Sequence, residues 1–151
     1  MKNITIILTI LIFLMPALLT AETISEKNIN QLLAEKRALV KEHIKLSENE
    51  STVFWPLYDD YVKTQVYSYN RWTELIRRYS QEHENISDKS AKEMIDKMLK
   101  LQATDVEIKR EYVKKFSKKL PPKKVFEYFL FEEKIDAGFN AAIAEGLPPI
   151  K

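Results

Sequence analysis

Only two glycines, Gly138 and Gly146, occur in 151 residues. Strands joined by tight turns need glycine where the backbone takes positive φ. A chain this poor in glycine must make its connections another way, and helices joined by short polar links meet that requirement. The prolines agree. Beyond Pro16 they are Pro56, Pro121, Pro122, Pro148 and Pro149, and the two pairs punctuate the chain without breaking up the segments between them. Those segments are rich in lysine, glutamate, leucine and alanine. The sequence predicts an all-α protein.

The first 21 residues stand apart. Lys2 is their only charge, Ile4–Leu19 is an apolar or neutral run, and small residues surround Ala21. This layout predicts a secretory signal peptide cleaved after about Ala21, with residues 22–151 exported to the periplasm as one all-helical domain. The run is shorter than the ~20 apolar residues that span a bilayer, and an uncleaved N-terminal anchor is the alternative. Cysteine is absent, which excludes disulfides, zinc–thiolate sites, thiol nucleophiles and lipid attachment through cysteine. The net charge is only +2, without the basic excess of a nucleic-acid binder.

One local pattern recurs four times: an aliphatic residue, then serine or proline, then polar residues leading into helix-forming sequence. The copies begin at Ile24-Ser25, Leu46-Ser47, Ile86-Ser87 and Leu120-Pro121. A serine hydroxyl caps an orphan N–H, an acid in the first turn complements the dipole, and the aliphatic residue staples onto the new helix. Ser47 with Glu50 makes a complete capping box, and Pro122 suits a first helical position. The predicted helices span about 26–45, 48–84, 88–119 and 122–145, the last stopped by Gly146, Pro148 and Pro149.

The second helix contains the stretch FWPLYDDY at 54–61. With Phe54 at zero on a helical wheel, Leu57, Tyr58, Tyr61, Gln65, Tyr69, Trp72, Leu75, Ile76 and Tyr79 fall within about 60° of it. Trp55, Val62 and Val66 form a second strip, and Tyr67 lies on the far side. The arc exceeds the stripe of a simple surface helix, so its edge is a candidate binding surface. Pro56 predicts a kink. On the third helix Ala91, Met94, Ile95, Met98, Leu101, Ile108, Tyr112, Phe116 and Leu120 form the expected core stripe, interrupted at Gln102 and Asp105. The fourth carries Val125, Phe129, Ile135, Phe139 and Ala142, with Glu132 on the same face. Helices this long predict an elongated subunit, and an antiparallel dimer would cover their remaining apolar surface.

Few residues suggest chemistry. Asp59 and Asp60 are adjacent, point about 100° apart, and so form a salt-bridging edge, not an acid–base pair. His43 and His83 lack a second ligand at metal spacing. Met94 and Met98 are core filler before they are copper ligands. Glu132 or Glu133, if buried by the stripe of the fourth helix, calls for a structural cation, with Arg71 and Arg110 as candidates. No catalytic residue, metal or cofactor is expected. Residues 114–124 hold six lysines, Lys114, Lys115, Lys118, Lys119, Lys123 and Lys124, which read either as a solvated helix end suited to the dipole or as a contact patch for an acidic partner or an anionic membrane surface.

Four stretches, FWPLYDDY at 54–61, RWTELIRRY at 71–79, ISDKSAKEM at 86–94 and LPPKKVFEYFLFEEK at 120–134, give the chain a resemblance to the Spy/CpxP-like periplasmic proteins, in an uncharacterised divergent branch. Members of that family carry Leu-Thr-x-x-Gln at helix starts. Here Ile86-Ser87-Asp88-Lys89-Ser90 and Leu120-Pro121-Pro122-Lys123-Lys124 stand in those places, with Ser90 and Lys124 where the family has glutamine. The resemblance implies a hooked four-helix subunit, an antiparallel homodimer, and ATP-independent holding of unfolded proteins in envelope stress, without enzymatic activity. The residues expected to meet a client or partner are Trp55, Leu57, Tyr58, Val62, Trp72 and the six lysines. The second functional reading is a modulator that docks on a membrane sensor or envelope complex through the lysine-rich end.

Overall fold

The computed structural model describes residues 26–149, with side chains from Gln31 onward except at 32, 139, 142 and 143. The leader expected over 1–21, the helix start at Ile24-Ser25 and the side chains of Phe139 and Ala142 lie outside the described residues. Four helices follow one another: α1 Glu26–His43, α2 Glu48–Glu82, α3 Asp88–Ser117 and α4 Pro122–Gly146. The protein is all-α, built of long helices that pack together.

The local signals act where the residues put them. At the start of α2 the Ser47 hydroxyl accepts from the Glu50 N–H at 3.3 Å, and the Glu50 carboxylate accepts from the Ser47 N–H at 2.8 Å. This reciprocal pair satisfies two orphan donors. Ser87 caps α3 by accepting from the Ser90 N–H at 3.1 Å. Pro122 opens α4. The helix ends need a correction. Gly146 belongs to α4, and no described residue takes positive φ, so no left-handed glycine cap closes it. The prolines at 148 and 149 stop the helix, because a residue before proline is disfavoured in the α region.

Helix α2 runs through Pro56 as one element. Proline deprives the carbonyl four residues back, that of Thr52, of its donor. Both Pro56 and Thr52 are exposed, so water can take the place of the missing N–H.

The chain forms two compact units. Among the described residues, one joins 26–43 with Tyr128–Leu147; the other joins Ile44–Glu127 with Pro148 and Pro149. In the larger unit α2 and α3 form an antiparallel hairpin. Its register reads directly from side-chain pairs: Asp60 with Tyr112, Trp72 with Asp105, Glu74 with Lys97, and Arg78 with Glu93. At one end Phe54, Tyr58, Tyr61, Val62, Tyr112, Phe116, Leu120 and Val125 are buried. Ring centroids lie 5.4 Å apart for Phe54–Phe116 and 4.9 Å for Tyr61–Tyr112, within the range of attractive aromatic pairs. Towards the other end Leu75, Met94 and Leu101 form a second cluster, flanked by Trp72, Tyr79 and Ile86.

In the smaller unit Val40, Tyr128 and Phe129 are buried, and His43 stacks on Phe131 at 4.2 Å. Here too lies Glu132, fully buried. Its partner is neither Arg71 nor Arg110. Lys36, only 5% exposed, donates to the Glu132 carboxylate. Arg71 instead donates to the Tyr67 hydroxyl, and Arg110 pairs with Glu107. Sequence proximity carries no trace of a partner on α1, which is why the arginines stood in for it.

Candidate functional surfaces

The hairpin accounts for the residues expected to form an aromatic binding edge. Tyr58 and Val62 are buried. Trp55 is half-buried, with its ring edge-on to Phe54 at 5.0 Å and to Tyr58 at 5.4 Å. Leu57 is half-buried as well. Trp72 is half-buried, and its indole N–H donates to Asp105 Oδ2 at 2.9 Å. The Ser68 hydroxyl donates to the other oxygen of the same carboxylate. Asp105 therefore does not merely interrupt the α3 stripe; it clamps α2 to α3 in the half-buried seam between them. Of the expected edge, Tyr58 and Val62 are core and cannot meet a client, and both tryptophans are tied into the hairpin.

The exposed apolar surface lies instead on the outer face of α3. Ile95, Leu99 and Val106 are 54%, 54% and 55% exposed, and Met98 is exposed beside them. Ile95 and Met98 do not belong to the core stripe. Ile95, Leu99, Gln102 and Val106 follow one another at steps of four, three and four, the spacing of a coiled-coil seam. This row lies roughly 110° around the helix from Met94, Leu101 and Tyr112. One flank is charged and exposed, with Lys92, Asp96, Lys100, Glu107 and Arg110. A second row of apolar residues at heptad steps was the sequence signal that could have revealed it. The broad apolar arc of α3 concealed it, because both rows merge when read as one stripe. Along the same helix a shallow, open depression is lined by Ala103, Thr104, Ile108 and Lys114 among others.

The lysines divide into two sets. Lys115 pairs with Glu111 at 2.8 Å and Asp60 at 3.5 Å, and its ammonium sits 4.1 Å over the Tyr112 ring. The hydrogen bond to Glu111 foremost holds its pKa above the usual lysine value. Tyr112 donates to Asp60 at 2.8 Å, and that bond, followed by the nearby Lys115, keeps the Asp60 carboxyl below the usual aspartate value. Lys124 pairs with Glu127 at 2.8 Å. Lys114, Lys118, Lys119 and Lys123 are exposed. Asp60 is thus a salt-bridging edge residue, as its position beside Asp59 suggested. Among the described residues no three His, Asp or Glu side chains converge as a metal ion would require, and no described helix is long and apolar enough to cross a membrane.

No family model matches the chain, and no curated protein or solved structure matches it.

Proposed function

We propose that this chain is an exported binding protein without chemistry of its own, which holds unfolded polypeptide segments in the periplasm on the outer face of α3. The carrying observation is the row Ile95, Leu99 and Val106, each more than half exposed, on a helix whose other apolar face is already occupied by α2. Monomeric proteins seldom leave such rows uncovered without a use for them. The charged flank keeps the face soluble and lets it release what it holds. The leader expected from the sequence of residues 1–21 supports export, and the resemblance to the Spy/CpxP-like proteins supports ATP-independent holding.

A second copy is the other occupant this face suits. In an antiparallel pair centred between Lys100 and Leu101, Ile95 of one chain falls opposite Val106 of the other and Leu99 opposite Gln102. Holding and self-pairing are compatible if the pair opens to admit a client.

The deciding experiment follows light scattering from an aggregating unfolded protein with the chain present near equimolar amounts and no ATP. The wild type is expected to suppress aggregation. Ile95→Asp with Leu99→Asp is expected to abolish suppression while changing stability by no more than ~1 kcal/mol, since both sites are exposed. Suppression by the double variant equal to the wild type would remove the α3 face from the proposal. No suppression by the wild type, across several clients, would end the holding role.

A further inference from the structure

The turn between α3 and α4 presents a different surface. Residues 114–127 contain six lysines, one glutamate and no arginine. Their charge is not spent internally: Lys115 and Lys124 are engaged, but Lys114, Lys118, Lys119 and Lys123 are exposed and make no ion pair among the described residues. The turn beneath them is firmly seated. Phe116, Leu120 and Val125 are buried, and the N–H groups of Lys119 and Leu120 both donate to the Phe116 carbonyl. Against this ordered base Phe126 stands out, 70% exposed. It follows Lys123 by three residues, so the ring and the ammonium share one face of α4.

We propose that this turn docks the protein on an anionic phospholipid surface, the four free lysines lying over the headgroup phosphates and Phe126 entering the interface between headgroups and acyl chains. Two features favour lipid over a protein partner. Arginine, with its planar fork, is the residue that reads a fixed carboxylate or phosphate geometry, and the patch has none; lysine is a mobile point charge suited to a diffuse anionic sheet. A single projecting aromatic ring among lysines also matches interfacial anchoring, where one apolar side chain inserts and cations remain at the phosphates. Each lysine near such a surface contributes about fivefold to partitioning, falling off within a Debye length. The contact is peripheral, and it stands independently of client holding on α3.

The test is co-sedimentation of the full-length chain with two vesicle preparations, phosphatidylcholine alone and phosphatidylcholine with phosphatidylglycerol. The ratio of the two partition coefficients is read, so that apolar attraction common to both cancels. The ratio is expected to be about tenfold or more in low salt and to approach one in molar salt. Lys114→Gln, Lys118→Gln, Lys119→Gln and Lys123→Gln together should bring it near one with an unchanged circular dichroism spectrum. Phe126→Ser should weaken binding to the anionic vesicles about fivefold and leave the salt dependence intact. Equal partitioning of the wild type, or a preference that survives the quadruple substitution, would overturn the proposal. Binding to polyglutamate without binding to anionic vesicles would overturn it too, and would assign the turn to an acidic protein.

Discussion

Lys36 and Glu132 both leave water, and neither could do so alone. A buried ion pair adds little net stability over apolar side chains of equal volume, yet removing one member strands the other. Glu132→Leu should therefore destabilise by about 3–5 kcal/mol, and adding Lys36→Met should recover most of that loss; urea denaturation of the three variants checks both statements. Asp60 is the opposite kind of charge, exposed and screened. Its folded pKa is lowered, chiefly by the hydrogen bond from Tyr112. Its contribution is thus fully present above the unfolded aspartate value, near pH 4, and disappears as pH falls through the lower folded value. Asp60→Asn should lower the denaturation midpoint slightly at pH 6 and leave it unchanged near pH 2. At this scale the sequence was legible only in part. Asp60 announced itself as a salt-bridging edge residue. The partner of Glu132 did not, because 96 positions separate it from Lys36 and only the packing of α1 with α4 brings them together. The role of Asp105 was hidden for the same reason: a carboxylate in an apolar stripe looks like an interruption until Ser68 and Trp72 are seen donating to it.

Elements were far more legible than pairs. The predicted starts of α2, α3 and α4 coincide with those of the structure, since capping is a contact over three residues and so is written locally. The predicted ends of α1, α2 and α3 lie two residues beyond the observed ones. The last turn of α3 explains its case, where the Lys119 N–H donates three residues back, to Phe116, and the helix tightens before it stops. Within α2, Pro56 forfeits a backbone bond, but at an exposed position. Pro56→Ala should raise stability by about 1–2 kcal/mol, the helix-propensity gain less the entropy returned to the unfolded chain. A loss on thermal denaturation would mean that the ring is needed for packing at Trp55 and Tyr58. The second face of α3 went unread because two apolar rows on one helix add up to a single broad arc.

At the scale of the molecule, the all-α class followed from glycine scarcity and the recurring starts, whereas the functional surface did not. Wheel periodicity identifies which side of a helix is apolar, not which apolar side a neighbour takes first. Here α2 takes the Met94–Tyr112 side and leaves Ile95, Leu99 and Val106 outside. If two copies pair through that row, Ile95→Asp and Val106→Lys should each weaken association, and the two together, which place opposite charges across the seam, should restore part of it. Sedimentation equilibrium over a range of concentrations measures this. A monomer at every concentration, or single substitutions without effect, would leave the row to clients alone.

The Lys36–Glu132 pair has a consequence for the history of the sequence. Loss of either charge passes through a destabilised intermediate, so the two positions are bound to be inherited together. In relatives of this chain they should appear as a cation with an anion, as the reverse, or as two apolar residues, and rarely as one charge facing a neutral neighbour. A set of homologous sequences in which positions 36 and 132 vary independently would mean that the smaller unit has another way to neutralise a charge in its interior.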